Sequence, residues 1–249
     1  MLQFLKTSHK EFDKYFQRVK KHARQEDIHQ LRVALKKMKT ILHMVDPENK
    51  ILKSSERKRI RRLFKLAGVI REAQVNIKLV KNIDDKTLEA YRYFLSEQIS
   101  YGAKALQQFT AEKSATDFFS KKTLKKISEK TKRYNESHQL DEFRTSVYQR
   151  IQRYIHYSGD KILHEIRKEI KHLLFITKFD HVDDDKRESL NHLAEKLGIW
   201  HDQAVLLYSL ESFSIKDPRI FKHLESIKYW NRIRAVHMRA EVQAFLRER

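Results

Sequence analysis

Apolar residues recur every third or fourth position along nearly the whole chain, and no competing strand pattern of period two is present. Such spacing puts them on one face of an α-helix, so the pattern predicts helices throughout. The expected helices lie near 7–24, 26–45, 48–67, 69–82, 84–110, 116–136, 139–157, 159–179, 183–197, 199–213 and 217–247. Two "DP" pairs, at 46 and 217, read as an Asp N-cap followed by Pro at the first helical position. Gly68 and Gly198 read as tight helix-to-helix breaks, because glycine accepts a positive φ cheaply.

The stretch from 28 to 45 carries more than a core face. At about 100° per residue, Ile28, Leu31, Ala34, Leu35, Met38, Ile41, Leu42 and Val45 share an arc roughly 140° wide. His29, Arg32, Lys36, Lys39 and His43 share an adjoining arc of about 80°. The same layout returns in the second half, where His164, Arg167, Lys171 and Lys178 again fall within about 80°. His29 and His164, Arg32 and Arg167, and Lys36 and Lys171 all share one sequence offset. "LAGVIREAQVNI" from 66 likewise aligns with "KLGIWHDQAVLL" from 196, at an offset 5 residues shorter. A pattern written twice predicts two related helical repeats. The expected organisation is one domain over 1–249, with a first repeat near 7–115, a basic connecting helix near 116–138 and a second repeat near 139–247. Two antiparallel bundles related by a pseudo-twofold follow as the expected architecture.

Arg71 opens a third basic stripe with Gln74, Lys78 and Lys81, and its counterpart in the second half is His201. Glu72 and Asp202 follow these cations and read as helix-start acids that favour the helix dipole and orient the neighbouring charge. The lysine-rich segment 120–139 has only Leu124 and Ile127 as aliphatic anchors. It reads as a solvated connecting helix, with a supplementary anion-binding surface as its alternative.

Composition sharpens this picture in two ways. The 249 residues include 4 Gly, 2 Pro and no Cys, which suits an all-α protein and excludes disulfides and cysteine-bound zinc. The formal charge of +20, from 53 Lys plus Arg against 33 Asp plus Glu, favours polyanionic partners such as nucleic acid, phosphate polymers or anionic lipid. The first 21 residues lack the apolar core of a signal peptide, and no run approaches the roughly 18 apolar residues of a membrane span. A soluble, cytoplasmic protein without membrane partners is the expectation.

The paired "H-x-x-R-x-x-x-K" helices, each followed by "LG" or "AG" and a charged pair ("RE", "HD"), resemble the CHAD family, the conserved histidine α-helical domain. The resemblance spans roughly residues 7–247. It implies two helical bundles around a basic central cavity that binds inorganic polyphosphate, in a targeting or scaffold module at polyphosphate granules. By position, His29, Arg32, Lys36 and Lys39 match the first motif, His164, Arg167 and Lys171 the second, and Arg71 the basic position after the first glycine. Glu72 departs from the aspartate frequent in the family, and Ile170, Leu173 and Leu174 thin the second copy. The first half is therefore expected to bind harder. The full candidate set is His29, Arg32, Lys36, Lys39, His43, Arg71, Lys78, His164, Arg167, Lys171, Lys178 and His201.

No catalytic set is apparent, and neither an enzyme, a cofactor nor a metal is expected. "HD" at 201 is a fragment of a metal phosphohydrolase signature, and "HEIRKEIKH" from 164 is not H-E-x-x-H. "HVDDD" from 181 reads as a polar helix start. No phosphate-binding G-x-x-x-x-G-K-[ST] loop occurs, and the alternating glutamates of a triphosphate tunnel enzyme are missing. A non-specific nucleic-acid-binding helical protein is the alternative, although no zinc finger, basic zipper or aromatic stacking platform supports it. Phe12, Phe16, Phe64, Phe94 and Phe175 sit at core spacing, and Trp200 and Trp230 read as core residues. A basic scaffold for an acidic protein also stays open. The sequence carries no reading of oligomeric state.

Overall fold

A computed structural model describes residues 1–81, 83, 86–135, 139–157, 159–178 and 184–247. Among them, all regular structure is helical: α1 (Leu2–His22), α2 (Gln25–Val45), α3 (Ser54–Val80), α4 (Glu89–Ala111), α5 (Lys121–Asn135), α6 (Gln139–Ile155), α7 (Asp160–Ile176), α8 (Asp184–Ser214) and α9 (Phe221–Arg247). Short 3₁₀ turns lie at 86–88, 115–117 and 218–220. No helix among the described residues is long and apolar enough to cross a membrane. "HVDDD" falls largely outside the described residues.

The chain forms two compact units, Met1–Ile77 with Tyr93–Gln139, and Lys78–Arg92 with Leu140–Arg249. In the first, Ala23 and Arg24 fold α1 back onto α2. Ala23 adopts a left-handed conformation, and its N–H donates to the Val19 carbonyl. This hairpin buries Phe12, Phe16 and Val19 against Leu31, Leu35 and Met38. Phe118 and Phe119 complete the packing, with ring centroids 5.1–5.9 Å from Phe12 and Phe16. Gly102 of α4 allows close approach to α3, since a Cβ there would lie 2.8 Å from Ile70 Cγ1.

In the second unit, α6 meets α7 through an ion pair from Arg150 to Glu169 at 2.9 Å. Leu163, Ile166 and Ile170 of α7 are buried, as are Leu197, Trp200 and Leu210 of α8. The start of α4 belongs here too: the Tyr91 hydroxyl donates to Ser209 Oγ at 2.8 Å, and its ring lies 5.3 Å from that of Phe213.

Several expectations from the sequence need correction. Gly68 and Gly198 do not break the chain, because α3 and α8 run straight through them. One glycine costs a helix roughly 1 kcal/mol, which long helices with buried faces absorb. The "DP" at 46 does not start a helix. Asp46 instead ends α2 and accepts from the N–H groups of Lys50 and Ile51 at 3.1 and 2.8 Å, bracing the loop before α3. The "DP" at 217 does act as expected, with Asp217 accepting from the Arg219 N–H and Pro218 opening the 3₁₀ turn. The basic segment after 120 is not merely solvated: Thr123, Ile127, Thr131 and Tyr134 of α5 are buried in the first unit. Counting only aliphatic residues hid that face, because threonine can satisfy its hydroxyl locally, as Thr131 does on the Ile127 carbonyl at 2.7 Å. Trp230 also departs from the core reading, being 56% exposed with its ring edge-on to Tyr229.

Candidate functional site: two basic helix faces

In the first unit the site is built on α2 against α3. The core face of α2 is fully occupied, so the adjoining arc emerges along the edge of the packed surface. Arg32, one turn from His29, is half-buried there and Lys36 is exposed. Arg32 Nη1 donates to the Phe64 carbonyl at 2.8 Å, and the guanidinium lies over the Phe64 ring at 4.3 Å. Lys39 Nζ sits 4.9 Å from the centre of the same ring. Phe64 thus orients two cations through its π face, besides any packing role.

In a continuous helix the Phe64 carbonyl already accepts the N–H four residues on, from Gly68, so Arg32 uses its second lone pair. Gly68 is what admits it: a Cβ at 68 would lie 2.9 Å from Arg32 Nη1. Glycine is required here for a guanidinium's approach rather than for a turn. A Cβ at Gly198, in the aligned place, would meet nothing within 4 Å. Gly68→Ala is expected to displace the Arg32 head group and weaken polyanion binding several-fold while leaving the fold intact. Gly198→Ala should leave binding unchanged and raise stability by about 0.5–1 kcal/mol through helix propensity. Parallel binding and urea titrations separate the two.

His29 is half-buried, and desolvation holds its pKa below the usual histidine value, helped by the Arg71, Lys36 and Arg32 charges and opposed by Glu26. These groups therefore share one electrostatic neighbourhood. Burial likewise lowers Arg32, with Glu72 opposing and Arg71 reinforcing, although an arginine stays charged under all relevant conditions. His43 and Lys78 are exposed further along their helices.

The second unit builds its face from α7 against α8. His164 Nδ1 and His201 Nδ1 are 3.3 Å apart, with ring centroids at 4.6 Å. Desolvation and then the Lys168 and Arg167 charges lower the pKa of His164. Two protonated rings at this distance would repel, so the neutral forms suit the geometry. Arg167 is half-buried, lowered by desolvation and supported by Asp202. Its Nε is buried without a hydrogen-bond partner. Lys171, one turn on, is pushed down to about 8 by desolvation and by Arg167, again with Asp202 opposing. Lys178 lies just past the end of α7 and is exposed.

The positions aligned in sequence take parallel places. Arg71 acts on His29 where His201 meets His164, and Glu72 acts on Arg32 where Asp202 acts on Arg167. The acids are not helix-start residues, however, since both sit inside continuous helices. They act on the half-buried arginines instead. Sequence reasoning missed Phe64 as a cation platform, and its offset from Gly68 by one turn was the available signal. Each face offers fixed guanidinium donors, mobile ammonium groups and neutral imidazoles, a set that recognises phosphate oxygens. Among the described residues no group of three or more histidine or carboxylate side chains could hold a metal ion.

The comparisons agree with this architecture. The crystal structure of the CHAD domain from the plant Ricinus communis superposes with a TM-score of 0.71 at 14% identity, covering 98% of this chain and 90% of that one. No curated protein matches the chain. The family model for the CHAD domain matches residues 4–211, which carry both basic faces, and the chain accordingly belongs to the CHAD domain family.

Proposed function

We propose that the chain binds inorganic polyphosphate through the basic faces of α2–α3 and α7–α8, without catalysing a reaction, as a targeting or scaffold module at polyphosphate granules. The observation that supports this is the stacking of histidine, arginine and lysine one turn apart on α2 and again on α7, each arginine half-buried beside the following long helix. From His29 to His43 the α2 face is about 21 Å long at 1.5 Å per residue. A linear polymer with one negative charge per unit fits that rail better than a compact anion. Partial burial orients the arginines in advance, which lowers the ordering cost on binding.

The test is competition at near-physiological salt: labelled long-chain polyphosphate challenged by single-stranded DNA and by short phosphates. Clear preference for long polyphosphate supports the reading, whereas charge-for-charge competition by DNA would replace it with non-specific nucleic-acid binding. Affinity should fall with salt as condensed counterions are released.

The histidines add a pH dependence of known sign. In the free protein His29 and His164 are held below the usual value, hence neutral near pH 7. A bound polyanion favours their charged forms and raises both pKa values. Binding therefore takes up protons, and affinity should rise as pH falls from 8 towards 5.5. The gain is at most about tenfold for each step of one by which binding raises either pKa. Calorimetry at pH 7 in two buffers of different ionisation enthalpy measures the uptake directly. Zero uptake would mean the imidazoles do not meet the polymer.

A further inference from the structure

The helices α3 and α8 share a core face and carry opposite charge on the outer one. At the offset relating Gly68 to Gly198, the buried Ile60, Leu63, Ala67 and Ile70 of α3 match the buried Leu190, Leu193, Leu197 and Trp200 of α8. The outer positions match too, and all are exposed. On α3 they hold Lys58, Arg61, Arg62, Lys65 and Val69, and on α8 Glu188, Asn191, His192, Glu195 and Ile199. Each set covers about three helical turns within an arc of about 100°. Glutamate thus stands at both places that lysine holds on α3. An apolar side chain follows each stripe and is left to solvent, Val69 at 41% and Ile199 at 55% exposure.

We propose that these stripes are the two sides of a self-association contact, in which the α3 face of one copy of the chain packs on the α8 face of another. Parallel helices set Val69 on Ile199, Lys65 on Glu195 and Lys58 on Glu188, so one register satisfies both charge and apolar contact. The antiparallel register that pairs the same charges leaves Val69 beside Asp184 and Ile199 beside Ser54. Parallel helices crossing at about 20° keep such stripes in contact along their length. The contact is heterologous, since two α3 faces or two α8 faces would repel. At its end Glu72 comes to Asp202, and each of these acids is offset by its own half-buried arginine, Arg32 or Arg167.

Charge identifies the occupant as a second copy. A basic stripe alone suits any polyanion, but an acidic stripe in the same register on a chain of charge +20 has its complement on that chain. Neighbouring cations leave the acidic stripe its sign, because Arg187 is engaged by Asp184 at 3.0 Å and Lys196 by Glu241 at 2.7 Å. On the basic side Arg62 is held over the Phe109 ring at 4.9 Å. Exposed ion pairs contribute little singly, and stripes about 17 Å long cover less than a standard interface. The repulsion between two chains of +20 also opposes the contact, so the association is weak and reversible. It does not depend on polyphosphate being the ligand of the chain.

The experiment is sedimentation equilibrium of the whole protein, stripped of polyanions at high salt and returned to near-physiological salt, at concentrations up to about 0.5 mM. The natural chain is expected to self-associate in this range. The Lys58→Glu, Lys65→Glu variant should associate at least about tenfold more weakly, and so should Glu188→Lys, Glu195→Lys. An equal mixture of the two variants should restore association, because each reversed face then meets its complement. Ile199→Ser, which alters no charge, should weaken the contact as well. All five positions are exposed, so thermal melting should stay that of the natural chain. A natural chain that stays single to 0.5 mM, charge reversal without effect, or a mixture no more associated than its components would each overturn the proposal. Association only on adding polyphosphate or nucleic acid would overturn it too, since the polymer would then be what meets the α3 stripe.

Discussion

The Arg32→Gln, Arg167→Gln double variant is expected to lose its preference for long polyphosphate over single-stranded DNA. Each arginine can make charge-assisted hydrogen bonds to phosphate, and such bonds contribute about 1.5–3 kcal/mol, or roughly 10- to 150-fold in affinity per residue. Both guanidiniums are half-buried, so each is partly oriented before binding, Arg32 by its 2.8 Å bond to the Phe64 carbonyl. Lys125 and Lys126 on α5 are exposed. Their replacement by glutamine should cost only the smaller, diffuse electrostatic share that any surface cation supplies. Of the single variants, Arg32→Gln should cost more than Arg167→Gln, because Lys36 and Lys39 extend the first face whereas Leu174 interrupts the second. Lysine should not rescue at position 32, since it cannot both bond the carbonyl and stack on the ring in the manner of a guanidinium. Equal losses from the arginine and lysine pairs would show that binding is diffuse.

Glu56→Ala should give the largest loss of stability. Glu56 is only 1% exposed and ties together the starts of two helices. It accepts from the Lys53 N–H at 2.9 Å at the entry to α3, from the Ser120 N–H at 2.9 Å at the entry to α5, and from the Thr123 hydroxyl at 2.9 Å. Removing the carboxylate leaves these donors unsatisfied, at a cost of about 3 kcal/mol in total. That corresponds to roughly 6–12 °C in the transition that melts the first unit. Burial alone would raise the carboxyl pKa, but the donated hydrogen bonds outweigh it and hold it below the usual carboxylate value. A depressed pKa contributes stability that is present above the unfolded value, near 4.3, and is lost as pH falls through the folded value. The gap between the natural protein and Glu56→Ala should therefore be constant near neutrality and narrow below about pH 4. Glu56→Gln, which keeps one acceptor, should recover part of the loss. Thermal melts across pH 3–7 measure both effects.

The all-α class, most of the helices and the two cationic edges were legible in the sequence because each depends on spacing along one helix. A periodicity of 3.6 residues puts Leu31, Leu35 and Met38 on one face and Arg32, Lys36 and Lys39 on the next, whatever the helix packs against. The places where the reading failed share a different cause. Whether Gly68 breaks a helix depends on what approaches it, and the answer is a guanidinium from α2. Whether Asp46 caps a helix depends on which N–H groups reach it, and these belong to a loop. The buried face of α5 depends on threonines whose polarity is met locally, and on Glu56 arriving from α3.

By itself, then, the sequence determined the helices, their polar edges and the sign of the charge, all properties of residues within a few turns of one another. Only the tertiary structure decided which of those cations are desolvated and oriented. Arg32 and Lys39 differ little along α2, yet only Arg32 is half-buried, with its bond to the Phe64 carbonyl. Lys36 and Lys171 are the same residue at aligned positions, yet one is exposed and the other half-buried. The physical reason is that solvent exclusion and hydrogen-bond geometry come from whichever distant segment packs alongside, and that identity is not encoded in the local spacing.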